Sequence, residues 1–281
     1  MKHDELASTI DEIAATPGGQ PLPGRTEAVV QTLLNLLERG EVRAAERDDQ
    51  GRWRAVAWVK RGILLGFRFG RLISMDSPRP FAFVDKHLYT TRSFGVDDGV
   101  RVVPGGSTVR RGAYLARTVV CMPPMYVNVG AWVGQGTMID SHALVGSCAQ
   151  VGDRVHLSAA AQIGGVLEPV NAAPVIIEDD VMVGGNSGVY EGTVVRQGAV
   201  LAAGVILTRG TPVYDLVRET VYRGSADAPL EIPPNAVVVP GARAVRSDWG
   251  AEQGLSLQTP VIVKYRDDRT DTATTLERWL R

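Results

Sequence analysis

An aliphatic residue or a cysteine returns at every sixth position along much of the chain. The positions are Val109, Leu115, Cys121, Val127, Val133, Ile139, Val145, Val151, Leu157 and Ile163, and then Ile177, Val183, Val189, Val195, Leu201, Leu207 and Val213. Neither the 3.6-residue period of a helix nor the two-residue alternation of a strand isolates an aliphatic in this way. The chain therefore requires an architecture whose repeating unit is six residues long.

A six-residue repeat is typical of parallel β-helices, in which three hexads form one triangular coil and each aliphatic points into the prism. Residues three hexads apart then stack above one another. We predict a mainly β fold with a left-handed parallel β-helix, a hexapeptide-repeat prism, over residues 99–225. An N-terminal α+β domain over 1–98 precedes it, and a small C-terminal β/helical cap over 226–281 follows it.

The repeat is interrupted once, by the segment GGVLEPVNAAPVI between Ile163 and Ile177. These two residues are 14 apart, two more than two hexads. The segment is either an ordinary loop extruded from a coil or the wall of a ligand groove, since loops on a rigid scaffold often carry function. The sequence leaves both interpretations open.

The flanking segments have other patterns. The segment RTEAVVQTLLNLLERG predicts a helix that stops at Gly40, and EVRAAERDDQGRWRAVAWV predicts two strands around a turn at 48–51. KRGILLGFRFG fits a short helix or a strand equally well. Proline-broken strands and a terminal helix in TATTLERWLR are expected to cap the open end of the prism.

Composition excludes several classes of protein. A formal net charge of −1 over 281 residues gives no field that would attract nucleic acid or an anionic membrane. The N-terminus has neither the charge pattern nor the apolar run of a targeting peptide, and no stretch is long enough for a membrane helix. Cys121 and Cys148 are too few for a disulfide framework or a zinc site. A soluble cytoplasmic protein without a metal is expected.

Asp140 is the first candidate for a catalytic or ligand-binding group. It follows the inward Ile139 and should point outward, and the same hexad slot holds Gly134, Gly146 and Gly152 in neighbouring hexads. Glycines there would leave open space for a ligand, although a solvated aspartate fits the sequence as well. The two histidines of the prism, His142 and His156, are 14 residues apart, share no edge, and are expected to be surface or structural residues.

Several long motifs occur in a recognisable order: VRVVPGG, VRRGAYLAR, YVNVGAWVGQGTMID, VGSCAQVGDRVHLS, IGGVLEP and IIEDDVMVGG. From about residue 28 to the end, and most densely over 100–192, the chain resembles the tetrahydrodipicolinate N-succinyltransferases of lysine and diaminopimelate biosynthesis. The resemblance implies a homotrimer with active sites between adjacent prisms. It implies succinyl-CoA as co-substrate, with no permanently bound cofactor, and the ring-opened 2-amino-6-oxopimelate as the amine.

The resemblance also implies roles for individual residues. Arg101 would bind a substrate carboxylate, and Asp140 would hold and deprotonate the attacking amine. Ser147, Ser158 and Gly164 would lie along the acyl-CoA, where backbone amides could meet its pantetheine arm. The alternatives are a surface ion pair for Arg101 and small residues required at tight corners for the other three.

One departure from the family pattern concerns the mechanism. The pattern has a second catalytic glutamate three residues before the glutamate of an EG pair, and this chain has Gly188 there. Glu191 aligns with the other, non-catalytic glutamate, and the family's HLSGG is replaced by HLSAAAQ. Three interpretations stay open: Asp140 suffices with a water, another carboxylate reaches in, or the substrate or acyl group differs.

Two other functions remain possible from the sequence. The first is N-acetylation of the same or a related amine by acetyl-CoA. The second is a non-catalytic β-helix that serves as a binding or assembly module, which the repeat alone would fit equally well but which would not explain Arg101 and Asp140 within long enzyme-like motifs.

Overall fold

A computed structural model describes residues 3–75 and 83–266. The N-terminal region contains three packed helices: α1 His3–Ala14, α2 Thr26–Glu38 and α3 Ala57–Phe69. α2 is the predicted helix, and α3 shows that the ambiguous segment KRGILLGFRFG is helical. α1 was not predicted, although its buried Leu6, Ile10 and Ile13 recur at helical spacing. None of the described helices is long and apolar enough to cross a membrane.

The predicted hairpin is present and consists of β1 Ala45–Arg47 and β2 Trp53–Ala55. Its turn is fixed by Asp48, whose Oδ1 accepts hydrogen bonds from the amides of Gln50 and Arg52. The second strand is shorter than predicted, because α3 begins two residues after it. A second hairpin follows, with β3 Leu72–Met75 and β4 Phe83–Lys86, and then a 3₁₀ turn at Val96–Asp98.

The repeat folds as predicted into a prism with three parallel sheets. Face I contains β5 Arg101–Val102, β8 Val120–Cys121, β11 Met138–Ile139, β14 His156–Leu157, β17 Met182–Val183 and β20 Val200–Leu201. Face II contains β6 Thr108–Val109, β9 Tyr126–Val127, β12 Leu144–Val145, β15 Gln162–Ile163, β18 Gly188–Val189 and β21 Ile206–Leu207. Face III contains β7 Tyr114–Leu115, β10 Trp132–Val133, β13 Gln150–Val151, β16 Ile176–Ile177 and β19 Val194–Val195.

From β6 to β21 the second residue of each two-residue strand points into the prism and forms its core. All the predicted inward positions are buried, none being more than 4% exposed. Residues 18 apart pair in register on face II, from Val109 to Val127, Val145 and Ile163. The first residue of each strand points outward, so one column of outward side chains runs along each face.

Two segments interrupt the coils. The first is the predicted one: Ile163 pairs with Val189, which lies 26 residues further on instead of 18, so the coil carries eight additional residues. The second interruption follows Leu207 and contains β22 Val213–Asp215 and β23 Thr220–Tyr222. Val213 was expected to continue the coil. It is buried, but its strand pairs with β23 and with a C-terminal strand because the chain leaves the coil before it.

The coil resumes with β24 Glu231–Ile232 on face III and β25 Ala236–Ala244 on face I. After α4 Asp248–Glu252, β26 Ser256–Tyr265 pairs with β25 and β22, which extends the face I sheet. The proline-broken strands expected after the prism are therefore present. The expected helix in TATTLERWLR lies outside the described residues, and the domain boundaries at 98 and 225 remain predictions.

Candidate active site

Arg101 opens the first strand of face I. Its backbone amide donates to the carbonyl of Val119 in the next coil, which fixes the strand to the prism. Its side chain is exposed, and within the described part of the chain the guanidinium has no hydrogen bond or ion pair. The surface ion pair considered as an alternative is thus absent among residues 3–75 and 83–266, and the planar fork remains available for a carboxylate.

Asp140 lies at the turn from face I to face II, called here the I–II corner. Its amide donates to the carbonyl of Leu157, and its Oδ1 accepts from the amide of Ser141 at 2.7 Å. The register places Ser158 directly above it in the next coil. Two coils separate Asp140 from Arg101, about 10 Å along the prism axis. Asp140 and Ser158 are therefore neighbours, and Arg101 lies on the adjoining face.

The glycines that share the hexad slot of Asp140 do not surround it. Successive hexads go around the triangle, so Gly146 lies at the turn from face II to face III, the II–III corner. Gly134 and Gly152 lie at the III–I corner. The residues stacked on Asp140 are Met122 and Ser158. The argument for open space from neighbouring hexads was wrong, because adjacency in a triangular coil runs over 18 residues and not six.

The two prism histidines differ in exposure. His142 is exposed at the I–II corner, beside a cavity of about 300 Å³ whose face II wall includes Thr108, Tyr126 and Leu144. His156 is buried on face I, in register with Met138 and Met182. Neither belongs to a group of metal-ligating side chains, since residues 3–75 and 83–266 contain no cluster of three His, Cys, Asp or Glu that could hold an ion.

Ser147 and Gly164 lie on adjacent coils at the II–III corner. The carbonyl of Ser147 accepts the amide of Val166, which begins the inserted segment. The amides of Gly164 and Ser158 donate to the carbonyls of the next coil, so they are not available to a ligand. Only the amide of Ser147 has no such partner within the described ranges. Contact through backbone amides, expected for all three residues, is thus restricted to Ser147.

The inserted segment and the II–III corner enclose a cavity of about 700 Å³. The segment supplies one wall, with Val166, Glu168 and Pro169 among its residues, and the prism supplies the other, including Gly164 and Tyr190. The volume lies within the usual range for small-molecule sites. Of the two interpretations of the interruption, the structure thus favours a groove wall over an ordinary loop.

Arg209 supplies a positive charge to this cavity. Its backbone amide donates to Oε2 of Glu191 at 3.0 Å. Its Nε is buried and has no hydrogen-bond partner among the residues that the structure describes. A buried donor without a partner favours an anionic ligand group. The sequence did not identify Arg209, because it lies beyond the repeat, in the second interruption.

A buried lysine fixes the cavity wall from behind. Lys60 of α3 is fully buried, and its Nζ donates to the carbonyl of Ala172 at 2.6 Å. Burial lowers the pKa of Lys60. Leu167 of the inserted segment packs against the core of the N-terminal helices. The helical region therefore holds the segment that walls the cavity, a contact that sequence reasoning could not find because it depends on how the helices dock.

Cys148, rejected as a nucleophile from the sequence, is fully buried in the core shared by the prism and the N-terminal helices. Burial raises the pKa of its thiol to about 12. Because the thiolate is the reactive form of cysteine, this residue is inert at neutral pH. Its role is packing.

A further cavity of about 410 Å³ lies on face III, beneath the first hairpin. Arg43 stacks on Trp132 at 4.0 Å and donates to Gln150 at 2.9 Å, and burial lowers its pKa to about 10. Glu178 accepts from Arg47 and from the indole of Trp53, both of the hairpin. None of the predicted site residues lines this cavity, and its polar contacts fasten the hairpin to the prism.

Hexapeptide coils with an outward carboxylate at one corner and a loop-walled cavity at the next define a hexapeptide-repeat prism with a candidate small-molecule site. Sequence comparison is more specific. Residues 9–69 match the family described as "Tetrahydrodipicolinate N-succinyltransferase N-terminal", and residues 174–209 match "Hexapeptide repeat of succinyl-transferase". The chain belongs to the tetrahydrodipicolinate N-succinyltransferase family, as its motifs predicted.

Two relatives show the extent of the similarity. The 2,3,4,5-tetrahydropyridine-2,6-dicarboxylate N-succinyltransferase of Bradyrhizobium diazoefficiens is 43% identical over 288 residues, which cover 100% of both chains. The enzyme of the same name from Nitrobacter hamburgensis is 42% identical over 269 residues, covering 92% of this chain and 91% of its own. The similarity therefore includes the N-terminal helices as well as the prism.

Proposed function

We propose that this chain transfers the succinyl group of succinyl-CoA to the amine of ring-opened tetrahydrodipicolinate, a step of lysine and diaminopimelate biosynthesis. Family membership over the full length of the chain carries the proposal. The geometry adds a carboxylate at the I–II corner and a cavity at the II–III corner, the two edges of face II. This arrangement lets one face serve both substrates.

Asp140 is proposed as the catalytic base. An ammonium cannot attack a thioester, so the carboxylate takes a proton from the amine. The amine nitrogen then adds to the thioester carbonyl carbon and the carbon–sulfur bond breaks. The proton that the nitrogen loses on becoming an amide goes to the sulfur, which leaves as the thiol of CoA. Oδ2 of Asp140 has no described hydrogen bond within residues 3–75 and 83–266, so it can accept the first proton.

Arg101 is proposed to bind a carboxylate of the amine substrate. Its guanidinium is exposed and has no partner among the described residues, and a bidentate pair with a carboxylate is among the strongest polar contacts in proteins. Because it lies about 10 Å from the level of Asp140, it suits an extended dicarboxylate whose amine and distal carboxylate are several bonds apart.

The cavity behind the inserted segment is proposed to hold the acyl donor. Arg209 offers a buried donor for its anionic groups, and Gly164 lines the prism wall of the cavity. The amide of Ser147 and the hydroxyl of Ser158 are the polar groups proposed to contact the pantetheine arm. No permanently bound cofactor is part of the proposal.

A homotrimer is proposed as the working form. Val96 and Val102 are exposed apolar residues in the segment that carries Arg101, and exposed apolar surface is typical of an interface. A second prism packed against this segment would cover them. Light scattering should then give a mass of about 91 kDa, three times the 30.2 kDa of the chain, and 30 kDa would exclude the trimer.

The test of the function is thiol release by the purified protein with tetrahydrodipicolinate and either succinyl-CoA or acetyl-CoA. Turnover that depends on succinyl-CoA supports the proposal. Turnover with acetyl-CoA alone would establish N-acetylation instead, and no turnover with either donor would leave the non-catalytic module. Omission of the amine is the control, because it separates transfer from thioester hydrolysis.

A further inference from the structure

The amine substrate carries one charged group that has no partner so far. Its ring-opened form has two carboxylates, one next to the amine and one at the far end of the chain. Asp140 is proposed to take the amine and Arg101 the far carboxylate, which leaves the carboxylate next to the amine. Because that carboxylate and the nitrogen are bonded to the same carbon atom, the group that binds it must lie close to Asp140.

His142 meets this requirement of position. Only Ser141 separates it from Asp140, so the Cα atoms of His142 and Asp140 are at most about 7 Å apart. The backbone amide of His142 donates to the carbonyl of Pro124 in the preceding coil, which fixes this part of the I–II corner. Its side chain is exposed. The imidazole therefore lies at the same level of the prism as Asp140 and is accessible to a ligand.

The cavity of about 300 Å³ beside His142 has the lining of an anion site. Thr108, Tyr126 and His142 line it, and each has a side chain that can donate a hydrogen bond. No Asp or Glu is among the described residues of its wall. A carboxylate placed there gains donors and meets no charge of its own sign. The volume is at the lower end of the usual range for small-molecule sites.

The cavity also extends over the coils that carry the two other proposed contacts. Thr108, Tyr126 and Leu144 of its wall pair in register on three successive coils of face II. The strand of Leu144 follows Asp140 directly in the same coil, and the strand of Thr108 follows that of Arg101. An extended substrate along this corner can therefore have its amine at the coil of Asp140 and its far carboxylate at the coil of Arg101.

We infer that the imidazole of His142 donates a hydrogen bond to the carboxylate next to the reacting amine, an inference that rests on the proposed function. Asp140 holds the amine nitrogen, and Arg101 holds the far carboxylate. A site with a donor for each carboxylate discriminates against an amine that lacks one of them, because that donor then loses its partner. His142 is thus a specificity-determining residue for an α-amino dicarboxylate, and it exchanges no proton in the reaction.

The first test is His142→Ala. We expect KM for tetrahydrodipicolinate to rise about 10- to 100-fold, the effect of losing one hydrogen bond to a charged group, while kcat and KM for the acyl donor change less than about threefold. The control is Asn186→Ala, the same position of the I–II corner two coils further on. Asn186 is exposed and has a φ of 55°, against 62° for His142, so both variants place alanine in a left-handed conformation. An unchanged KM in His142→Ala, or an equal rise in both variants, would overturn the inference.

The second test identifies the ligand group that His142 contacts. L-2-Aminopimelate is the ring-opened substrate without its ketone, and 6-aminohexanoate lacks in addition the carboxylate next to the amine. In calorimetric titrations with CoA present, wild type should bind L-2-aminopimelate at least about tenfold more tightly than 6-aminohexanoate. His142→Ala should reduce this preference to within about threefold, because the donor that distinguishes the two compounds is gone. A preference that the variant retains in full would overturn the inference.

Calorimetry separates this inference from the proposed function, because binding requires no acyl transfer. A wild type that binds L-2-aminopimelate with the expected preference but releases thiol with neither donor overturns the function and leaves the contact of His142 in place. An active wild type whose His142→Ala variant keeps the KM for tetrahydrodipicolinate overturns the inference alone. A wild type that neither binds L-2-aminopimelate nor releases thiol overturns both.

Discussion

The coils from Val109 to Ile163 and the segment that follows them differ in almost every respect. In the coils each inward side chain is buried against residues 18 positions away, and two-residue strands repeat with one register. The inserted segment leaves the register, exposes Glu168 and Pro169, and walls the cavity of about 700 Å³. The comparison suggests that the repeat supplies stability while its interruptions supply the binding of ligands.

Removing the first interruption should have the largest effect. Deletion of residues 166–173 restores the six-residue spacing between inward residues. Pro174 then takes the corner position that Cys148 has in the preceding coil, where φ is 65°. Proline cannot adopt this φ, so the variant also carries Pro174→Gly. We expect a folded prism by circular dichroism and a loss of about 10³-fold in kcat/KM, since the acyl donor loses one wall of its cavity.

The deletion is made in a Lys60→Met background, because Lys60 would otherwise lose the carbonyl that accepts its hydrogen bond. The reference for activity is Lys60→Met alone. A deletion variant that retains the kcat/KM of this reference would show that the segment is an ordinary loop.

A change inside a regular coil should reduce stability. Ile139→Ala removes a fully buried inward side chain and should cost about 3–4 kcal/mol in the free energy of unfolding. Ile206→Ala is the matched control, an outward isoleucine that is 37% exposed, and should cost less than about 1 kcal/mol. Denaturant unfolding measures both, and equal losses would contradict the account of the core.

The polar contacts of Glu178 should make stability depend on pH. Burial alone would raise its pKa, but hydrogen bonds from Trp53, the Gln197 amide and Arg196 outweigh burial and hold the pKa below its ordinary value. The pKa of Glu178 is lower in the folded state than its unfolded value of 4.5, so the ionised carboxylate stabilises the fold above pH 4.5. This stabilisation is lost as the pH falls through the pKa of the folded state. Glu178→Gln should therefore cost about 2 kcal/mol at pH 7.

The difference in unfolding free energy between wild type and Glu178→Gln should shrink below pH 4.5. Denaturant titrations at pH 7 and in the acid range measure it. A difference that is constant across this range would show that the charge of Glu178 contributes nothing.

Lys60→Met tests whether the N-terminal helices support the cavity wall. We expect the smallest effect from this variant. Loss of the hydrogen bond to Ala172 should loosen the inserted segment and raise KM for the acyl donor roughly 3- to 10-fold, with kcat nearly unchanged. Lys60→Arg keeps a donor and should recover part of the loss. An unchanged KM in Lys60→Met would separate the helices from the site.

The parts of the fold that could be predicted from the sequence are those that repeat. The inward positions and the 18-residue stacking followed from spacing, and the motifs indicated the family. Spacing located the first interruption but left its role open between a loop and a groove wall. Val213 lies six residues after Leu207 and so fits the period, but it belongs to no coil, because the chain has already left the prism at the second interruption. The α1 helix was missed although Leu6, Ile10 and Ile13 carried its signal.

The candidate site residues likewise divide into those that the sequence could identify and those that it could not. Arg101 and Asp140 lie in motifs, so the sequence could nominate them, and their roles remain predictions. Lys60 became a candidate only through its contact with a segment distant in the sequence, and Arg209 only through its place in the wall of the cavity. The predicted 18-residue stacking already places Ser158 above Asp140, and the argument for open space failed because it compared neighbouring hexads instead.

The most direct test of the account is the rate of thiol release with succinyl-CoA and tetrahydrodipicolinate for Asp140→Asn beside Asp49→Asn. Asp49 is an exposed carboxylate in the first hairpin, so its variant controls for loss of charge alone. The account predicts that Asp140→Asn loses about two to four orders of magnitude in kcat with an unchanged unfolding midpoint, while Asp49→Asn matches wild type. Equal activity of the two variants would contradict it.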